Sequence, residues 1–91
     1  MIITVEKTIQ DDKNVFFPEI MYNDVPSSCD IHIAHMIGIG LREYQDILVR
    51  YGGHRVVQDG EVYFNKRQSV EQFIEKYLNP QLVMAALTEN L

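Results

Sequence analysis

Residues 29–53, CDIHIAHMIGIGLREYQDILVRYGG, constrain the fold more than any other stretch, because glycines divide them into two short helical patterns. In the first pattern Ile31, Ala34 and Ile37 recur at three-residue steps, which predicts one side of a helix that ends at Gly38. The second pattern has the i, i+3, i+4 rhythm of a half-buried helix and ends at a glycine pair. Its apolar residues are Leu41, Tyr44, Ile47, Leu48 and Tyr51.

The residues that follow predict a hairpin and further helices. Residues 54–65 place the pair Asp59-Gly60 between two apolar runs, which predicts a β-hairpin with a two-residue type I′ turn. Ser69 opens a helix with an apolar stripe, and Asn79-Pro80 has the form of a cap and a first-turn proline for a last short helix.

The beginning of the chain predicts a β-ribbon. Apolar and polar residues alternate over residues 2–9, and residues 10–14 form a polar turn before a second apolar run. Since proline cannot donate a ladder hydrogen bond, the residues after Pro18 are predicted to form an edge strand or an irregular segment. A two-stranded ribbon is unstable alone, so it must pack on the helices or pair with another chain.

The order of helix, turn, helix, hairpin and helix over residues 28–78 resembles the winged helix-turn-helix proteins of the phage excisionase and MerR type. The resemblance is carried by Ile33-Ala34, Ile37-Gly38-Ile39, Tyr44 and Ile47. It implies a single α+β domain: a β-ribbon at residues 1–22, a winged-helix-like unit at 28–78 with a hairpin wing, and a C-terminal helix at 79–91. It also implies a non-enzymatic phage or mobile-element protein that binds DNA as an accessory or regulatory factor.

If the second helix reads DNA, its exposed side supplies the contacts. Arg42 and Gln45 have the bidentate chemistry that suits guanine and adenine edges, and Arg50 suits a phosphate. Three further cations are expected at the base of the wing: Arg55, Lys66 and Arg67. The alternative for this face is a solvated helix in which Arg42 pairs with Asp46 one turn further on.

Charge favours a second class of function. The 91-residue chain has a net charge of −5, whereas a nucleic-acid binder usually carries a positive surface. The alternative is an acidic module that binds a basic protein, such as an inhibitor of a host nucleic-acid enzyme. Its carboxylates would be Glu6, Asp11, Asp12, Glu19, Asp24 and Asp30. A third alternative is a structural homodimer that meets through residues 80–91.

Catalytic and metal chemistry find little support in the sequence. Cys29, His32 and His35 are the one set of potential metal ligands, but on a helix Cys29 and His35 would lie about 120° apart, so no metal site is predicted. No phosphate loop or nucleophile elbow is present, and we expect neither an enzyme nor a cofactor. A single cysteine and the lack of an apolar run of about 20 residues predict a cytoplasmic protein with no membrane span.

Overall fold

Residues 2–22 form a long β-hairpin. In the computed structural model, which describes residues 2–89, β1 (Ile2–Gln10) pairs antiparallel along its whole length with β2 (Lys13–Tyr22). Asp11 and Asp12 join the strands with φ angles of 51° and 62°, the pattern of a type I′ turn. Aspartate tolerates this left-handed backbone better than most residues, so the predicted polar turn is a tight one.

A second type I′ turn leads into a third strand. Asn23 and Asp24 have φ angles of 50° and 63°, and β3 (Val25–Ser27) pairs antiparallel with the end of β2. β2 is therefore the central strand of a three-stranded sheet in the order β1-β2-β3.

Pro18 lies inside β2, and the prediction that the strand becomes an edge or irregular after it is wrong. Phe16 exchanges both of its backbone hydrogen bonds with Phe64, at 2.7 and 2.8 Å. Alternate residues of a strand direct their N–H groups to the same edge, so the nitrogen of Pro18 faces the gap between this bridge and β3. No partner strand needs a donor there, and the missing N–H costs little.

A second, short hairpin is attached to the sheet through the Phe16–Phe64 bridge. It consists of β4 (His54–Arg55) and β5 (Val62–Tyr63), paired antiparallel. Residues 56–61 between them are called the β4–β5 loop. The prediction of a two-residue turn at Asp59-Gly60 is wrong, because only Gly60 has a positive φ, 71°, and a type I′ turn requires it at both positions.

The two central helices form as their glycine pattern predicts, with one change of face. α1 (Asp30–Met36) is followed by Gly38 at φ 78°, and α2 (Leu41–Arg50) begins after Gly40. α1 buries Ile33 and Ala34 but leaves Ile31 exposed. The buried face of the helix is therefore rotated relative to the predicted one, which included Ile31. α1, α2 and the connection between them are called the two-helix unit below.

Residues 67–89 form one continuous helix rather than two. α3 (Arg67–Phe73) passes through a π-helical turn (Ile74–Leu78) into α4 (Asn79–Glu89). Asn79 has helical dihedrals and its N–H donates to the carbonyl of Ile74, so it does not restart the chain. The wide π-turn lies just before Pro80, which cannot donate a hydrogen bond and whose ring needs space in the preceding turn.

One hydrophobic core joins the helices to both hairpins, and Phe73 lies at its centre. The ring of Phe73 is 5.4 Å from that of Tyr51, 5.6 Å from Tyr77, 6.0 Å from Tyr44 and 6.1 Å from Phe64, measured between centroids. The other buried residues of the core are Ile20, Ile33, Ala34, Ile47, Leu48, Val62, Val70, Leu78 and Leu82.

The architecture is a small α+β domain, which confirms the predicted fold class. Among residues 2–89, no helix has the length and apolar character needed to cross a membrane. α4 leaves Val83, Met84 and Leu87 largely exposed to solvent.

Position 53 has no room for a side chain, so glycine is required there. A Cβ at Gly53 would lie 2.7 Å from Cγ1 of Val62 and 3.0 Å from the carbonyl oxygen of Leu48. We expect Gly53→Ala to lower the free energy of unfolding by about 2 kcal/mol through overpacking, measured by urea denaturation. Gly40→Ala is the control: no atom lies within 4 Å of its Cβ position, so about 0.5 kcal/mol is expected. Equal losses would contradict the steric explanation.

Tyr44 gives a second prediction. Its side chain is fully buried, and its hydroxyl has no hydrogen-bond partner among the described residues. Burial, followed by the charge of Asp30, raises the pKa of Tyr44 well above its ordinary value, so the group stays neutral. Removing an unpaired buried hydroxyl should raise the free energy of unfolding by about 1 kcal/mol in Tyr44→Phe. The exposed Tyr22→Phe should leave it unchanged, and a destabilised Tyr44→Phe would show that the hydroxyl is bonded.

Candidate nucleic-acid interface

The outer face of α2 is the surface that the sequence assigned to DNA. α2 buries Tyr44, Ile47 and Leu48, so the opposite side of the helix faces solvent. That exposed side carries Arg42, Glu43, Asp46, Val49 and Arg50. The two arginines are eight residues apart, which is about 12 Å along a helix axis.

Asp46 is neutralised by a residue from the second hairpin. Nη2 of Arg55 donates to Oδ1 of Asp46 at 2.8 Å, and both side chains are exposed. The predicted alternative, a pair between Arg42 and Asp46, is not formed. An exposed ion pair adds little stability, at most about 1 kcal/mol. The effect of this ion pair on the surface charge matters more, because Arg55 offsets the negative charge of Asp46, which lies between Arg42 and Arg50.

The C-terminal end of this face borders the π-turn. The pKa of Tyr77 is raised by burial and then by the charge of Glu43, and it is lowered by Arg50. The charges of two α2 residues, Glu43 and Arg50, thus act on the hydroxyl of Tyr77. Glu43 also lies on the proposed surface, next to Arg42 in the sequence.

The remaining predicted cations are spread over other elements. Lys66 is exposed at the position preceding α3. Arg67 lies against the sheet: its guanidinium carbon is 5.3 Å from the ring centre of Phe16, and Nη1 is 3.5 Å from the carbonyl oxygen of Val5. Thus Arg55 joins the face of α2, whereas Arg67 is engaged by β1 and β2.

Gln45 does not lie on the exposed face, and that prediction is wrong. It is 9% exposed, and its Nε2 donates to Oδ2 of Asp30 at 2.9 Å and to the carbonyl of Gly60 at 2.8 Å. A signal was present in the sequence, since Gln45 precedes Leu48 by three residues and Leu48 is fully buried. This spacing places Gln45 next to the buried side of the helix.

Asp30 is the buried partner that the sequence did not identify. It begins α1 and is only 4% exposed, so it is not a surface carboxylate of the acidic alternative. Its Oδ2 also accepts the N–H of Val62 at 3.0 Å, and its own N–H donates to Oε2 of Glu61 at 3.0 Å. Burial raises the pKa of Asp30 to about 7, and Glu61 adds to the rise, whereas Gln45 and the Val62 amide oppose it.

A cleft of about 480 Å³ separates the β4–β5 loop from the turn between β1 and β2. Lys13, His54 and Arg55 line it together with Asp11. Nε2 of Gln10 reaches Oδ2 of Asp59 across it at 3.5 Å. The acidic turn therefore lies beside the second hairpin and not over α2, a placement that the sequence left open.

The cysteine and histidines considered as metal ligands are all exposed and make no shared site. Cys29 precedes α1 in an extended conformation, while His32 and His35 lie on the outer side of the helix. Within residues 2–89, no three side chains of His, Cys, Asp or Glu are placed to hold one metal ion.

Comparisons of the chain with protein-family models, curated proteins and solved structures found no match.

The buried amide of Gln45 gives a prediction that separates packing from recognition. Gln45→Ala leaves the Gly60 carbonyl and one bond to the Asp30 carboxyl unsatisfied, so we expect the free energy of unfolding to fall by about 2 kcal/mol. The exposed Gln72→Ala on α3 is the matched control and should change it by less than about 0.5 kcal/mol. Equal stability of the two variants, measured by thermal and urea denaturation, would contradict a structural role for Gln45.

Proposed function

We propose that this chain is a small cytoplasmic DNA-binding accessory protein of the winged-helix type. In this proposal α2 is the reading helix and the β4–β5 hairpin is the wing. One observation carries it: the exposed face of α2 presents Arg42 and Arg50, while the carboxylate between them is paired with Arg55. Counting Glu43, Asp46 and the three arginines, this surface has a net charge of +1 in a chain of net charge −5.

The residues have different roles in this proposal. Arg42 is close to the N-terminus of α2, where a helix that enters the major groove meets base edges. Arg50 and Lys66 are placed for phosphates, and Arg55 acts through its pair with Asp46. Gln45 and Arg67 hold the fold together rather than the DNA. With about two phosphate contacts, the logarithm of the binding constant should fall with the logarithm of salt concentration with a slope of about −2.

Binding to duplex DNA of mixed sequence, measured by fluorescence anisotropy at about 50 and 150 mM salt, tests the proposal. Arg42→Ala/Arg50→Ala should weaken binding at least about 10-fold. The control is Lys7→Ala/Lys76→Ala, which removes two exposed cations from β1 and the π-turn and gives the same net charge. Binding that the two double variants weaken equally would place the contact elsewhere. No binding at about 50 mM salt, where the electrostatic contribution is large, would contradict the proposal.

An acidic protein-binding module is the second candidate, and the position of the first hairpin turn favours it. Asp11 and Asp12 are exposed beside the β4–β5 loop, where they would repel phosphate close to the wing. Asp11→Asn/Asp12→Asn preserves a turn that asparagine also tolerates and should strengthen DNA binding if DNA is the ligand. If the variant still binds no DNA, a basic protein partner is the better account.

A further inference from the structure

The β4–β5 loop and the adjoining Val62 are held to the two-helix unit by a small set of buried and partly buried hydrogen bonds. Gln45 donates to the Gly60 carbonyl, Asp30 donates its N–H to Glu61, and Val62 donates its N–H to the Asp30 carboxyl. Within residues 2–89, the other side-chain bond from this loop to a residue outside the second hairpin is the 3.5 Å contact between Gln10 and Asp59. Attachment of the loop therefore depends on the group of three side chains Asp30, Gln45 and Glu61.

The groups that face this junction are acidic or neutral. α2 contributes the phenol of Tyr44 and the amide of Gln45, and the segment before α1 contributes Cys29, which lines a cavity of about 160 Å³ with Glu61. The second hairpin contributes the titratable side chains Asp59, Glu61 and Tyr63. Among the described residues, no lysine or arginine forms a salt bridge with Asp30 or Glu61. Two adjacent carboxylates here would repel each other with no cation to compensate.

The hydrogen bonds of Asp30 indicate where a proton would be placed. Oδ2 already accepts two N–H groups, from Gln45 and Val62, while Oε2 of Glu61 accepts the N–H of Asp30 itself at 3.0 Å, which places the Glu61 carboxyl beside that of Asp30. We propose that Asp30 and Glu61 share one proton across the junction, and that loss of this proton to water releases the β4–β5 loop from the two-helix unit. The Phe16–Phe64 bridge keeps the hairpin attached to the sheet as a hinge.

The direction of the pH dependence follows from linkage. Burial and Glu61 raise the pKa of Asp30 from 3.8 to about 7 when the loop is attached. The attached state binds the proton more tightly than the released state, so attachment is favoured at low pH and is progressively lost as pH rises towards 7. If Asp30 regains its ordinary pKa on release, the attachment equilibrium should fall by up to about 100-fold between pH 5 and 8.

Hydrogen exchange of the Val62 amide measures this equilibrium directly. Its protection factor, corrected for intrinsic exchange, should fall by up to about 100-fold from pH 5 to 8, while that of the Leu48 amide in the core of α2 should fall less. In Asp30→Asn the asparagine carbonyl accepts the same two N–H groups and its NH₂ replaces the shared proton, so protection at Val62 should not depend on pH. Asp59→Asn removes a carboxylate from the same loop and should behave as the wild type.

Three outcomes would overturn the proposal: pH-independent protection at Val62 in the wild type, an equal fall at Leu48, or a wild-type profile in Asp30→Asn. If Asp30→Asn does not fold, Glu61→Gln serves instead. It removes the neighbouring negative charge and should move the loss of Val62 protection to lower pH; an unchanged profile would count against the shared proton. No DNA is used, so this test and the DNA-binding test succeed or fail separately.

Discussion

The arrangement of the helices and the second hairpin depends on one buried carboxyl group, that of Asp30. It accepts hydrogen bonds from α2 through Gln45 and from β5 through Val62, residues 15 and 32 positions away in the chain. A carboxyl without partners at this depth would cost several kcal/mol, so these bonds must form for the core to close. These bonds fix the relative orientation of α1, α2 and the second hairpin, because the donors must all reach the carboxyl of Asp30.

The ladder between β2 and β5 stops at Pro18, and a side chain takes its place there. Phe16 and Phe64 form a hydrogen-bonded pair, and the next such pair along the two strands would be Pro18 and Val62. Pro18 has no N–H to donate to the carbonyl of Val62, so the ladder ends after a single bridge. The N–H of Val62, which would otherwise face the carbonyl of Pro18, donates to the carboxyl of Asp30. An interruption of the sheet and a buried acid on a helix are thus two parts of one arrangement.

Local pattern predicted much of the fold, and tertiary pairing explains what it missed. Alternation predicted β1, and glycines with helical periodicity predicted α1 and α2, because these signals need no distant partner. Exposure of Arg42 and Arg50 followed from the same periodicity. Burial of Gln45 did not, because its polar type outweighed its position three residues before Leu48. The pair of Asp46 with Arg55 and the partners of Asp30 involve elements that no single stretch of sequence brings together.

The single bridge between Phe16 and Phe64 also has a consequence for the order of folding. The first hairpin and the two-helix unit are built from neighbours in sequence, so each can form on a fast, local timescale. The bridge, and the contact of Arg67 with Val5 across 62 residues, close long segments of chain and carry the entropic cost of doing so. The rate-limiting step of folding is therefore expected to be the closure of these long-range contacts, where Phe64 meets β2.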